Sequence, residues 1–237
     1  MAVSVKNIRL APTDLANLAF QEERRKRLHL QQCFEDKVIP YTYNPYRNTV
    51  GDAVNLQPDL LPDALPPSAF ATLETAVRQA CKNNDDAIRV NLPVARATHG
   101  YATDNNISAT VIDGPPIRLA PGRSYAFWVP LLLQLGDQFS IMFPDPRRKG
   151  FLTEMGRQFV FSAQHERFRA TIPEFANVRL QVWRFANNRE RTVRVYDSEG
   201  IPLIPYQELV AEVTSIYALL DKMAAERESS LRKASYG

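Results

Sequence analysis

The chain is poor in cysteine, histidine and glycine, and each scarcity closes off a class of chemistry. Its two cysteines, Cys33 and Cys81, are too few for a disulfide framework and fit a reducing compartment, so a cytoplasmic location is expected. No run of 18 or more apolar residues occurs; the longest lies near residues 127–133. A membrane-spanning helix is therefore not expected. The first ten residues hold no apolar core of the kind a secretory signal needs. With nine glycines, the chain has neither a G-x-x-x-x-G-K-[ST] phosphate loop nor a G-x-G-x-x-G turn. It also lacks a G-x-S-x-G elbow and an H-E-x-x-H helix. The three histidines, His29, His99 and His165, have no ligand spacing between them, and neither cysteine has a C-x-x-C partner. No metal, cofactor or catalytic residue is expected on these grounds, and the reading leans away from an enzyme.

The dispersed carboxylates read as structure. Asp104 with Asp113, or Asp137 with Asp145, could hold a magnesium ion, but carboxylates at turns are chiefly turn formers. The one E-x-K triplet, Glu35-Asp36-Lys37, falls at an expected helix end, where a lysine suits the negative terminus. His165 and Glu166 are adjacent on an expected helix and point about 100° apart, so they do not form a proton-transfer pair by themselves.

What is present is a long, apolar chain: 237 residues, 45% hydrophobic and 23% charged. That suffices for one large core with appended segments. The net charge is only +3, but it is unevenly spread. Residues 146–195 carry eleven Arg or Lys against four Glu, a net of +7; residues 52–116 carry four against eight Asp or Glu, a net of −4. Arginine outnumbers lysine 22 to 7, a ratio that suits phosphate or carboxylate binding and that a GC-rich genome also produces.

The pattern predicts an α+β fold, a mainly antiparallel sheet with packed helices. Asp14 is placed to cap a helix over 14–36, whose apolar face (Leu15, Ala19, Leu30, Cys33) is interrupted by Glu22 and Lys26. Residues 1–37 accordingly read as a helical arm with 22–27 in water. Residues 38–67, with six prolines and Tyr41, Tyr43 and Tyr46, read as an extended strap docked by its tyrosines. Residues 68–228 form the core domain and 229–237 a flexible tail. Within the core, Ser68 caps a helix to about residue 82. Strands are expected over 88–94, 107–112, 124–133 and 138–143. Thr153 caps a helix to about 170 that is apolar on two sides, Phe161 and Phe168 against Leu152, Met155, Phe159 and Ala163. A hairpin over 178–185 and 191–196 turns at Asn187-Asn188. A last helix, 206–226, carries the stripe Leu209, Val213, Ile216, Leu220 and Met223.

The hairpin supplies the sharpest functional expectation. A two-residue loop pairs Val182 with Val193 and Leu180 with Val195 on the core face. The other face then pairs Trp183 with Thr192, Gln181 with Arg194 and Arg179 with Tyr196. Arg179, Trp183, Arg194 and Tyr196 would make a flat cationic and aromatic surface, suited to stacking bases or seating an acidic partner. Arg147, Arg148 and Lys149 could extend it, and Arg24, Arg25, Lys26 and Arg27 form a second basic run. The leading expectation is a non-catalytic subunit of a larger assembly that contacts the nucleic-acid backbone through residues 146–196 and also has protein partners. Two alternatives stand beside it: a protein–protein adaptor with no nucleic-acid role, and a hydrolase or metal-dependent nuclease with a dispersed Asp/Glu/His site.

Overall fold

The computed structural model describes residues 8, 10–35, 42–57, 66–125 and 131–235, with side chains as far as residue 230. Its elements run in the order α1 (Pro12–Leu18), α2 (Glu23–Gln31), α3 (Asn44–Ala53), α4 (Phe70–Ala80), α5 (Asp85–Asp104), β1 (Ser108–Val111), β2 (Ile117–Ala120), β3 (Arg123–Tyr125), β4 (Leu131–Leu135), β5 (Gln138–Asp145), α6 (Glu154–Gln164), β6 (Arg179–Phe185), β7 (Val193–Asp197) and α7 (Tyr206–Ser235). The fold is α+β.

Five strands form one sheet in the order β1-β4-β5-β6-β7, and β2 and β3 form a separate ribbon. All neighbours in the main sheet are antiparallel except β5 and β6, which run parallel. A parallel pair needs a crossover, and α6 supplies it. Because side chains alternate along a strand, the sheet has two apolar faces with different cover. Leu132, Ile141, Phe143, Leu180 and Val182 join a core with residues of α1, α2, α6, α7 and the ribbon. Leu131, Leu133, Met142, Trp183 and Phe185 join a second core with α3, α4 and α5. The sheet thus sits between two helical layers.

Several elements differ from the sequence expectation for identifiable reasons. The helix expected over 14–36 is two helices, broken at Phe20, which takes a left-handed φ of 61°. Ala11 is the N-cap, with Pro12 opening the helix, and Asp14 lies in the first turn, where a carboxylate suits the helix dipole. The break lets α1 and α2 each turn a short apolar side inward. Leu15, Ala16, Leu18, Ala19 and Leu30 are all core residues, so this segment packs against the rest of the chain.

Within the proline-rich segment, α3 forms with Pro45 in its first turn, the helical position that tolerates the missing N–H. It buries Tyr46, whose hydroxyl is 3.0 Å from Thr98 Oγ1. Tyr41, Pro40, Pro58 and Pro62 lie outside the described residues, and Pro66 and Pro67 are exposed. The expected strand over 88–94 is the front half of α5. Asn84 caps that helix by accepting from Ala87 N at 2.9 Å, and Ile88, Asn91, Val94, Ala95, Thr98 and Ala102 are buried at three- and four-residue spacing. The helix accommodates Pro93 in its interior.

The strand expected over 124–133 appears as β3 and β4, with 126–130 outside the described residues. Ala69, without a side-chain bond, occupies the N-cap position expected for Ser68. Thr153 does cap α6, accepting from Gly156 N at 3.0 Å. Both apolar sides of α6 are used, with Phe159, Val160, Phe161 and Ala163 all buried, but Met155, expected on the second side, is exposed. The helix then widens into a single π turn, His165–Arg169. In α7 the stripe Leu209, Val213, Ile216 and Leu220 is buried, with Met223 packed at its edge. The helix continues to Ser235, through residues expected to be a flexible tail. None of the described helices is long and apolar enough to cross a membrane.

Candidate functional site

The +7 segment is gathered around the C-terminal end of β5, where Pro144-Asp145-Pro146 ends the strand. Asp145 is fully buried. Its Oδ2 accepts from Leu152 N at 2.8 Å, and its Oδ1 is 3.8 Å from Arg147 Nε. Burial pushes its carboxyl above the ordinary carboxylate range, against the opposing pull of the Leu152 N–H and of Arg147 and Arg184.

The arginines around it serve this loop. Arg147 is ion-paired to Asp14 of α1. Arg184 donates to the carbonyls of Arg147 and Phe185, both at 2.7 Å, and lies 4.0 Å over the Phe151 ring. Arg191, held at a left-handed φ of 56°, is buried and donates to Pro146 O. Arg148 donates to Asn187 Oδ1 at 3.0 Å, fastening the loop to the hairpin turn, and Lys149 is exposed. From α1, Asn17 donates to Phe151 O at 2.9 Å and accepts from Thr153 N at 2.9 Å.

The hairpin register differs from the expected one by three residues. Gln181 pairs with Asp197, Val182 with Tyr196, Trp183 with Val195, Arg184 with Arg194 and Phe185 with Val193. The loop between the strands is longer than two residues, and an odd shift reverses which side chains share a face. Trp183 consequently lies on the α5 side, 1% exposed. It sits edge-on to Tyr101 at 5.0 Å and donates to Gln181 Oε1 at 3.1 Å. Tyr196 is on the opposite face beneath Arg157, whose guanidinium is 4.3 Å from the ring. Arg194 is exposed on that same face.

Arg179 stands at the other end of β6, lining a cavity of about 450 Å³ with Leu132, Phe139, Glu174, Phe175 and Val178. The expected face of Arg179, Trp183, Arg194 and Tyr196 is therefore not assembled. Arg24 and Arg25 are exposed on α2. Lys26 is ion-paired to Glu212 of α7, and Arg27 bonds Glu23 at 2.9 Å and Glu226 at 3.1 Å.

The loop brings together Arg147 and Arg148 with Asp14, expected only as a helix cap, with Asp145, weighed only as a magnesium ligand, and with three residues that sequence reasoning missed: Asn17, Arg184 and Arg191. One signal in the sequence marks the place. An aspartate between two prolines at the end of an apolar strand must find internal partners, since neither proline offers an N–H. Much of the local positive charge is spent inside the molecule. Besides Arg147, Arg184 and Arg191, Arg167 donates to Gly114 O and Pro115 O at 2.9 and 3.0 Å, and Arg169 to Val178 O at 2.7 Å. Among the described residues, no group of three or more His, Cys, Asp or Glu is placed to hold a metal ion.

Residues 13–230 match the family described as "Sliding clamp-binding bacterial toxin SocB". The chain belongs to the SocB family. It is 28% identical, over 237 residues covering 98% of this chain and 97% of its relative, to the "DNA replication inhibitor toxin SocB" of Caulobacter vibrioides (strain NA1000 / CB15N). No solved structure gives a significant match. Membership of the SocB family overturns the expectation of an assembly subunit contacting nucleic acid through residues 146–196. The family is described by binding to a protein, which agrees with the protein–protein alternative. The local positive charge misled because, on sequence alone, an arginine bonded to carbonyls looks the same as one facing solvent.

Proposed function

We propose that this chain binds a bacterial sliding clamp and thereby inhibits DNA replication, acting by protein contact rather than by chemistry on a substrate. The observation that carries this reading is the extent of the family match. Residues 13–230 take in both helical layers and the whole sheet, so what is shared with the clamp-binding toxins is the complete fold. The internal use of Arg147, Arg184, Arg191, Arg167 and Arg169 supports it further, because five of the eleven cations of residues 146–195 are engaged by Asp14 or by the chain's own carbonyls, which leaves fewer donors for a phosphate backbone. The place of action on this reading is the cytoplasm, where replication occurs.

The test is direct. Purified chain and the sliding clamp of its host are titrated by biolayer interferometry, and saturable binding is expected. Primer extension by a clamp-loaded polymerase should fall as the chain is added, while clamp-independent extension by the same polymerase should not. Absence of saturable binding up to about 100 μM would remove the reading, and equal inhibition of both extension reactions would place the target elsewhere.

A further inference from the structure

The two edges of the five-stranded sheet are treated differently. At the β1 edge, residues 55–57 run alongside: Gln57 N donates to Ala109 O at 2.8 Å and Ala109 N to Asn55 O at 3.2 Å. At the β7 edge, two bonds set the phase of the pairing with β6, Ala186 N to Thr192 O at 2.9 Å and Ser198 N to Leu180 O at 3.1 Å. Hydrogen-bonded pairs alternate along an antiparallel ladder. Arg194 and Tyr196 therefore exchange their bonds with β6, and Val193, Val195 and Asp197 turn N–H and C=O outward. Among the described residues, no hydrogen bond reaches those outward groups from outside the sheet.

The charge beside this edge is unbalanced at its turn end, the carboxylates Asp197 and Glu199 standing at the other end of the strand. Arg194 and Arg184 lie directly opposite each other, a like-charge pairing that is unfavourable across strands. Arg184 is turned away to the carbonyls of Arg147 and Phe185. Arg194 is left exposed, with no ion pair among the described residues. Arg148 and Lys149 are exposed at the adjoining loop, which is tied to the hairpin turn through Asn187. Arg189 is exposed in the turn itself, where the one carboxylate is Glu190.

We propose that the free edge of β7, with Arg194, Arg148, Lys149 and Arg189 beside it, receives an extended acidic segment of a protein partner as an added strand. Main-chain bonds to Val193, Val195 and Asp197 would hold the segment, and carboxylates on it would neutralise Arg194 and its neighbours. This goes beyond the clamp reading, since the partner is specified only by its extended, acidic chemistry. A short edge strand bearing a cation also serves to keep sheet edges apart, and that alternative gives the opposite result below.

The probe is a short peptide of alternating glutamate and valine, added to the full-length chain labelled for NMR. In the free chain, the Val195 and Asp197 amides should exchange with solvent quickly and the Tyr196 amide slowly. At saturating peptide the first two should slow by about tenfold or more. Arg194→Glu combined with Lys149→Glu, both exposed positions, should weaken the peptide at least about fivefold with the amide spectrum otherwise unchanged. A peptide methylated on alternate backbone nitrogens should not bind. The proposal is overturned if the edge amides are not protected or if the methylated peptide binds equally. It is likewise overturned if a lysine–valine peptide or an oligothymidylate binds as well as the acidic one. Clamp binding is measured separately on the same variants: loss of edge protection with clamp binding intact removes only this proposal, and the converse removes only the clamp reading.

Discussion

Asp145 and Trp183 occupy opposite faces of the same end of the sheet, and both are set by burial. Asp145 exchanges water for one backbone N–H and the nearby guanidinium of Arg147, with burial dominating its titration. A carboxyl raised above its unfolded value binds protons more readily in the folded chain. Its contribution is therefore most favourable when it is neutral, declines as pH rises from the ordinary carboxylate value through the raised folded one, and is level above that. Urea unfolding across that window should show this slope in the native chain and lose it in Asp145→Asn. That variant keeps an acceptor for Leu152 N and should cost less than about 1 kcal/mol, whereas Asp145→Ala strands the N–H and should cost about 1–3 kcal/mol. Trp183 was legible as an aromatic on a hairpin but not as a core residue, because a three-residue change of register decided its face. Trp183→Ala should cost about 3–5 kcal/mol in denaturant unfolding. Unchanged stability together with lost partner binding would instead restore it as a surface contact.

Close approach sets how the elements fit, and the clearest case is α1 against α6. A Cβ on Gly156 would come within 2.5 Å of Asn17 Oδ1, the atom that accepts from Thr153 N. Alanine is the better helix former by about 1 kcal/mol, yet Gly156→Ala should destabilise the chain by about 1–3 kcal/mol, since overpacking at a fixed contact outweighs propensity. A stability gain on thermal melting would show that α1 can move aside. The α7 stripe was legible because its spacing of four and three residues keeps the apolar positions on one face of the helix, which is the buried one. Ile216, with no exposed surface, should cost about 2–5 kcal/mol on truncation to alanine, checked by the same unfolding measurement. For α5 the short apolar runs around Pro93 suit strand and helix equally, and the long amphipathic period was the better guide.

For the molecule as a whole, the N-terminal helices are a structural layer. Removing residues 1–31 would uncover the partners of Leu15, Leu18 and Leu30 in the core. The truncated chain should lose its cooperative thermal transition by circular dichroism, whereas a dispensable arm would leave it intact. Composition and periodicity alone determined the α+β class, the Thr153 cap, the α7 stripe and the lack of any long apolar segment, because each depends on neighbours within a few turns of chain. Tertiary structure decided the rest. Whether 14–31 stands free or packs, which face Trp183 takes, and which arginines meet carbonyls rather than solvent all turn on contacts between residues far apart in sequence. Asp14 with Arg147 and Arg191 with Pro146 are such contacts. Local charge counts carry no record of them, because the carbonyls that satisfy a buried guanidinium belong to every residue and mark none.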